Sequence, residues 1–263
     1  MTTTFDVQGN IAIITLKNPP VNALALTLLR SLQDNLQRAQ QDASIDAIVL
    51  RGDKSIFSGG FDITHLAKTT RGEKTENVSD FKDILNHLVE NGSKPCVAAI
   101  SNLALGGGLE VSMACSARVA TRGAKLGLPE LKLGVIPGFG GTQRLPRLVG
   151  LEKSLEMMLK SKEITSEEGA ELGLVDEVVE GEKSGNDRAV VEAAVRMAKR
   201  IANGEKQRQF SLTRTDKLPR DAKQTMGTMA VAEGRAKKIK AILPHASYCV
   251  EAVKTGLEKG STE

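Results

Sequence analysis

Tryptophan is absent, tyrosine occurs once and phenylalanine six times, so aromatics make up only 3% of the 263 residues. A surface that stacks single-stranded bases interleaves exposed rings with basic residues, and this chain lacks the rings. Cysteine is scarce too: Cys96, Cys115 and Cys249 are odd in number and far apart, in apolar or helical contexts. That excludes a disulfide framework and points to buried, reduced thiols. His65, His87 and His245 stand apart, with no Cys or His at ligand spacing, so no metal site is expected. No apolar run approaches the roughly 20 residues of a membrane span. The opening MTTTFDVQGN is expected to be neither a secretory signal nor a transit peptide, and the closing GSTE is not an SKL address.

What remains is ordinary in bulk. Hydrophobic residues at 40% and charged residues at 26% suit a soluble globular chain that can bury one sizeable core. The net charge of +4 is uneven: residues 196–240 hold thirteen Lys/Arg against four acids, Glu205, Asp216, Asp221 and Glu233. The plain reading is a solvated helical face. The sharper one is an anion site, for a nucleotide phosphate or a nucleic acid.

Residues 5–16 alternate around Gly9-Asn10 and predict a β-hairpin. Residues 23–41 predict a helix with Leu24, Leu28, Leu32 and Leu36 on one stripe. Strands are expected at 45–51, 94–100 and 174–179, and helices at 81–91, 109–117, 151–160, 166–172, 188–203, 224–242 and 247–259. The polar stretch 68–80 reads as a loop. GFGGT, Gly138 to Thr142, reads as a flexible turn; with Gln143 where a further glycine is needed, it is no dinucleotide fingerprint. The Gly- and charge-rich run 181–187 is a candidate boundary, dividing a core at 1–185 from a helical region at 186–263.

The most informative stretch is 103–137. Gly106, Gly107 and Gly108 follow an apolar run and precede a helical one. Each costs a regular element about 0.5–1 kcal/mol relative to alanine. Either they form a tight strand-to-helix turn, or something must approach the main chain where no Cβ can intrude. In the second case an N–H near the helix start would face an anion or a polarised carbonyl oxygen. Glu110 sits in the first helical turn, where the helix dipole favours a carboxylate. Glu130, in GLPEL, has apolar neighbours on both sides, and burial there would favour its protonated form. Two carboxyls in contrasting settings suit paired base and acid roles. Ser58 to Ile63, SGGFDI, offers a second glycine pair, with Asp62 as a candidate helix cap.

These segments, together with GVIPGFGGTQRL from Gly134 to Leu145, resemble the crotonase (enoyl-CoA hydratase/isomerase) superfamily, and most closely the hydratase segment of plant-type peroxisomal multifunctional β-oxidation proteins. The resemblance implies an α/β fold, a spiral of ββα turns with a helical C-terminal region that mediates trimer or dimer-of-trimers contacts. It implies hydration of trans-2-enoyl-CoA, with Glu110 activating water and Glu130 protonating the α-carbon. Relatives that retain only the second glutamate tend to isomerise double bonds, so both being present argues for hydration, with isomerisation a side activity or an alternative. The backbone amides of Phe61 and Gly107 would form an oxyanion hole; alanine is more usual at the first position, and the phenyl ring alters pocket shape. Substrate and CoA contacts would fall at Asn22, Ala23, Leu24, Ser58, Gly59, Gly60, Asp62, Ile63, Gly106, Pro129 and Gly134. Coenzyme A arrives as part of the acyl-CoA substrate, with no separate cofactor and no membrane; a crotonase-like protein that binds RNA through the basic run 196–240 is the remote alternative. The implied compartment is peroxisomal or cytoplasmic.

Overall fold

A computed structural model describes residues 2–62, 81, 84–181 and 187–260. A two-residue turn at Gly9-Asn10 joins β1 (Thr2–Gln8) to β2 (Ile11–Lys17) as the expected antiparallel hairpin, with Gln8 opposite Ile11. From β2 onward the large sheet is parallel: β3 (Ala47–Gly52), β4 (Cys96–Ile100), β6 (Ala117–Thr121) and β9 (Glu177–Val179) follow in the order β1-β2-β3-β4-β6-β9.

A parallel sheet needs both faces covered, and alternation along the strands supplies two apolar faces. Ile14, Leu16, Ile48, Leu50, Ala98 and Ile100 face the main core. Val49, Val97, Ala99 and Val119 face the other way, onto Val190, Ala194, Met197 and Ile201 of helix Arg188–Ala202. The first helix beyond the expected boundary at 185/186 is thus the cover of the large sheet's outer face; residues 182–186 lie outside the described residues.

A smaller sheet runs beside the first. It pairs β5 (Leu103–Leu105) with β7 (Lys125–Gly127), and β7 with β8 (Ile164–Thr165). Single bridges extend it through Ser58 to Ala104 and, further along, Leu24 to Phe61. Successive chain segments therefore give one strand to the large sheet, a shorter extended piece to the small one, then a helix. That repetition is the ββα spiral.

The helices are α1 (Leu26–Gln41), α2 (Gly107–Ala114), α3 (Gly141–Val149), α4 (Leu151–Leu159), α5 (Ser166–Leu172), α6 (Arg188–Ala202), α7 (Ala222–Ile239) and α8 (His245–Glu258). Three expectations need correction. Helix α1 starts at Leu26, because Leu24 is held extended: its N–H donates to Gly60 O at 2.8 Å. Helix α2 begins two residues earlier than expected and ends at Ala114. The stretch Ala117–Thr121, buried throughout and so lacking any alternation, is a strand that pattern reading leaves unassigned beyond residue 117. Leu85–Glu90 is π-helical rather than α-helical; of the expected loop at 68–80, nothing lies within the described residues.

At the end of β3 the chain folds back so closely that a methyl on Gly52 would overlap the carbonyl oxygen of Ile56. A backbone oxygen cannot rotate away. Gly52→Ala is expected to lower unfolding free energy by about 1–3 kcal/mol or more, measurable by urea denaturation; an unchanged midpoint would mean that the 52–57 turn is looser than described.

Candidate active site

The three consecutive glycines have three different reasons. Gly106 has φ +51°, and a methyl there would sit 3.3 Å from Oε1 of Glu130. Gly107 opens α2; as the first helical residue, its N–H has no carbonyl one turn back within the helix. A methyl on it would lie 3.5 Å from the amide nitrogen of Phe61 and 3.3 Å from Cδ1 of Leu24. Gly108 packs against the next segment, where a Cβ would come within 2.6 Å of Ser58 O. The glycines thus serve a positive-φ turn at Gly106 and a close approach of neighbouring backbone at Gly108.

The segment that carries Phe61 is fixed by its neighbours. Ser58 is fully buried; its Oγ donates to Asn22 O at 2.8 Å and accepts from Gly60 N at 3.2 Å. Gly59 N donates to Val21 O at 2.7 Å, and Asp62 N to Leu24 O at 3.4 Å. Gly60, at φ +104°, brings the chain so near Leu105 that a Cβ would be 2.8 Å from its carbonyl oxygen and 3.5 Å from Gly107 N. The amides of Phe61 and Gly107 are thereby neighbours across the gap between the segment and α2.

Asn22, buried and at φ +50°, gives both side-chain hydrogens to the turn, Nδ2 reaching Asp53 O at 2.9 Å and Ile56 O at 2.6 Å. Its Oδ1 accepts from Asn18 N at 3.1 Å. The side chain is a scaffold for the loop. Ala23 O accepts from Asn18 Nδ2 at 2.7 Å. Pro129 precedes the 3₁₀ turn Glu130–Leu133, which Gly134 closes at φ +76° beside the imidazole of His245. Ile63 lies outside the described residues.

Glu110 and Glu130 come from different elements, α2 and the 3₁₀ turn; the charge of one acts on the other, and their settings contrast. Glu110 is 1% exposed, and its Oε1 accepts from Phe139 N at 2.8 Å and Gly141 N at 2.7 Å. Burial pushes its pKa up to about 7; the amides of residues 138, 139 and 141 and the charge of Arg144 pull the other way, toward the ionised form. Glu130 is 9% exposed, and neither of its carboxyl oxygens makes a hydrogen bond to another described residue. Burial first, and the negative charge of Glu110 second, push it up to about 8. The upward push is stronger on Glu130, which lacks the amides that favour the ionised form of Glu110. One group can take a proton while the other gives one, beside two amides suited to an oxyanion.

The loop at 138–142 is therefore no mere turn. It supplies the amides that hold Glu110, and the ring of Phe139 lies 5.6 Å from that of Phe61. The signal lay in the glycines of GFGG, which sequence reading assigned to flexibility. Part of the basic run 196–240 is engaged internally: Lys206 with Asp176, Arg214 with Asp216, and Arg208 with the carbonyls of Glu90 and Gly92. Among the described residues no cluster of three metal-ligating side chains occurs, and no helix is long and apolar enough to cross a membrane.

The sequence model of the family described as "Enoyl-CoA hydratase/isomerase" matches residues 6–248. The chain belongs to that family. It is 47% identical over 263 residues to a glyoxysomal fatty acid beta-oxidation multifunctional protein MFP-a of Brassica napus, covering 99% of this chain but 35% of that protein. A probable enoyl-CoA hydratase of Bacillus subtilis (strain 168) is 43% identical over 169 residues, 64% of this chain and 66% of that one. The crystal structure of an enoyl-CoA hydratase from Bacillus anthracis superimposes with a TM-score of 0.66 at 34% identity, covering 77% of each chain. The chain spans about a third of the length of its multifunctional relatives. With these structures the family member shares its fold, the ββα spiral expected from the sequence motifs.

Carboxyls whose folded-state pKa lies above the unfolded value favour folding most near pH 4, and that contribution is lost as pH rises through about 7 to 8. Glu130→Gln removes part of that loss. Its melting temperature is expected to exceed the wild type's at pH 8.5 and to approach it at pH 4.5; equal differences at the two pH values would contradict the buried, protonated carboxyl.

Proposed function

We propose that this chain hydrates trans-2-enoyl-CoA thioesters to 3-hydroxyacyl-CoA. The observation that carries the reading is the pair of buried carboxyls, one anchored by amides and one without partners, beside the neighbouring amides of Phe61 and Gly107. Family membership and the enoyl-CoA hydratase named among its relatives support the substrate class.

In this reading the ionised Glu110 takes a proton from water as its oxygen bonds to C3. The C2=C3 electron pair moves into the thioester, whose carbonyl oxygen takes the charge as an enolate. The amides of Phe61 and Gly107 stabilise that oxygen; losing one such donor typically costs about 2.7–4 kcal/mol of barrier. Glu130 then delivers its proton to C2 and the carbonyl re-forms. Glu110 ends protonated and Glu130 ionised, and proton exchange restores the starting state. The chemistry needs no cofactor, since coenzyme A is part of the substrate. Leu24 and Phe139 would flank the acyl group, and residues 58–62 the pantetheine side.

The roles assigned to Gly106, Pro129 and Gly134 are proposed as steric: room for Glu130 and a tight closure of its turn. Peroxisomal residence follows the glyoxysomal and peroxisomal relatives. Exposed Met226, Val231, Ile242 and Tyr248 on and beside α7 and α8 support self-association of the C-terminal helices, as a trimer or dimer of trimers.

Turnover of trans-2-enoyl-CoA esters of graded length tests the reading. Glu110→Gln and Glu130→Gln are each expected to lower kcat by about 10²–10⁴-fold; full hydratase rates in both would sink the mechanism. Gly107→Ala, which puts a methyl at the point the two amides share, is expected to cost about 10²–10³-fold. The pH profile of kcat/KM should be a bell, falling on the acid side near 7 as Glu110 protonates and on the alkaline side near 8 as Glu130 ionises. A profile flat from pH 6 to 9 would contradict it.

A further inference from the structure

The loop that offers its amides to Glu110 is itself held from behind. Phe139 gives its N–H to Glu110, and its carbonyl accepts from Nη1 of Arg144 at 3.1 Å. One residue's peptide groups thus join a carboxylate to a guanidinium. Gly140, at φ +99°, lies against that guanidinium, and a methyl there would overlap Nη1.

Arg144 is wholly buried and faces Glu90, itself 1% exposed, with Nε and Nη2 at 3.1 and 2.6 Å from Oε2. Nη2 also reaches Asn86 Oδ1 at 2.7 Å. The other oxygen of Glu90 accepts from Ser211 Oγ at 3.0 Å and Leu212 N at 2.8 Å, which ties a C-terminal segment to the floor of the site. Glu90 ends the π-helical turn Leu85–Glu90, a distortion frequent at functional sites.

A buried ion pair is weak evidence for stability, because desolvation offsets its attraction. What distinguishes this one is its direction. The groups around Glu110 are Glu130 from the 3₁₀ turn, Cys249 from α8 and Arg144 from α3, with Glu90 and Cys115 behind Arg144. Arg118 also lies near Cys115, but among the described residues Arg144 is the cation whose charge acts on Glu110.

We propose that Arg144 is a positioning residue for Glu110: through the Phe139 peptide it fixes the loop that orients the carboxylate, and its charge keeps that carboxylate anionic. Glu90 is the counter-ion that lets the guanidinium reside in the interior. The inference rests on Glu110 being the base of the proposed hydration.

The test compares pH profiles of kcat/KM on a trans-2-enoyl-CoA ester for wild type, Arg144→Lys and the double variant Glu90→Gln with Arg144→Met, with Glu110→Gln as control. The double variant removes both buried charges together, so no lone charge is left in the core. It is expected to fold, to keep KM within about threefold, and to move the acid limb up by about one pH unit. Arg144→Lys keeps the charge but not the fork: its acid limb should stay while kcat drops. A folded double variant with an unmoved acid limb overturns the proposal, as does one that cannot fold, since the pair would then be a structural necessity. If Glu110→Gln keeps full activity, the hydration reading itself fails and takes this inference with it; if Glu110→Gln is inactive and the limb stays put, only the role of Arg144 is lost.

Discussion

Two buried carboxyl groups act on each other through their charge, and burial disfavours the ionised form of both. The surroundings decide which of them ionises. Glu110 has Phe139 and Gly141 amides on one oxygen and a guanidinium one peptide away; Glu130 has apolar walls and a negative neighbour. That asymmetry gives two side chains of the same kind different preferences for the proton, as the proposed base and acid roles require. Their burial opposes folding at neutral pH, a loss of stability that functional sites commonly show.

Much of the neighbouring structure exists to keep that gap open and in register. The Ser58–Phe61 bridge positions lie on the small sheet, pinned by Asn22, Leu24 and the buried Ser58 hydroxyl. Gly60 and Gly108 allow two backbones to come closer than any Cβ would permit. Once they do, the Phe61 amide faces the start of α2, where main-chain donors are exposed by the geometry of a helix terminus. Gly106 then leaves space for the Glu130 carboxyl, and Gly107 leaves the Phe61 amide uncovered by a Cβ.

The C-terminal residues are part of this arrangement rather than an appendage to it. Helix α6 seals the outer face of the large sheet, Glu90 is grasped by Ser211, Leu212 and Arg208, and the imidazole of His245 lies against Gly134 at the end of the Glu130 turn. A site read only from residues 58–145 would lack its floor and one wall. The segment 196–240 looks, as sequence, like a basic patch. In the fold, several of its cations neutralise acids or cap carbonyls of the core.

From the amino-acid order alone came the hairpin at Gly9-Asn10, most of the helices and the two glutamates, because these depend on local spacing, turn chemistry and motif. The strand Ala117–Thr121 escaped notice because a strand buried on both faces carries no alternation to read. So did the use of Leu24: its apolar stripe fits a helix, yet a backbone bond to Gly60 fixes it as extended. Glu130 was legible as a buried acid, but not its lack of partners, nor that Glu110 would be gripped by a loop 29 residues away. Arg144 and Glu90, 54 residues apart, carry no mutual signal in the sequence at all. Local physics is written along the chain; which charges and amides converge in a shared low-dielectric volume is set only when distant segments pack.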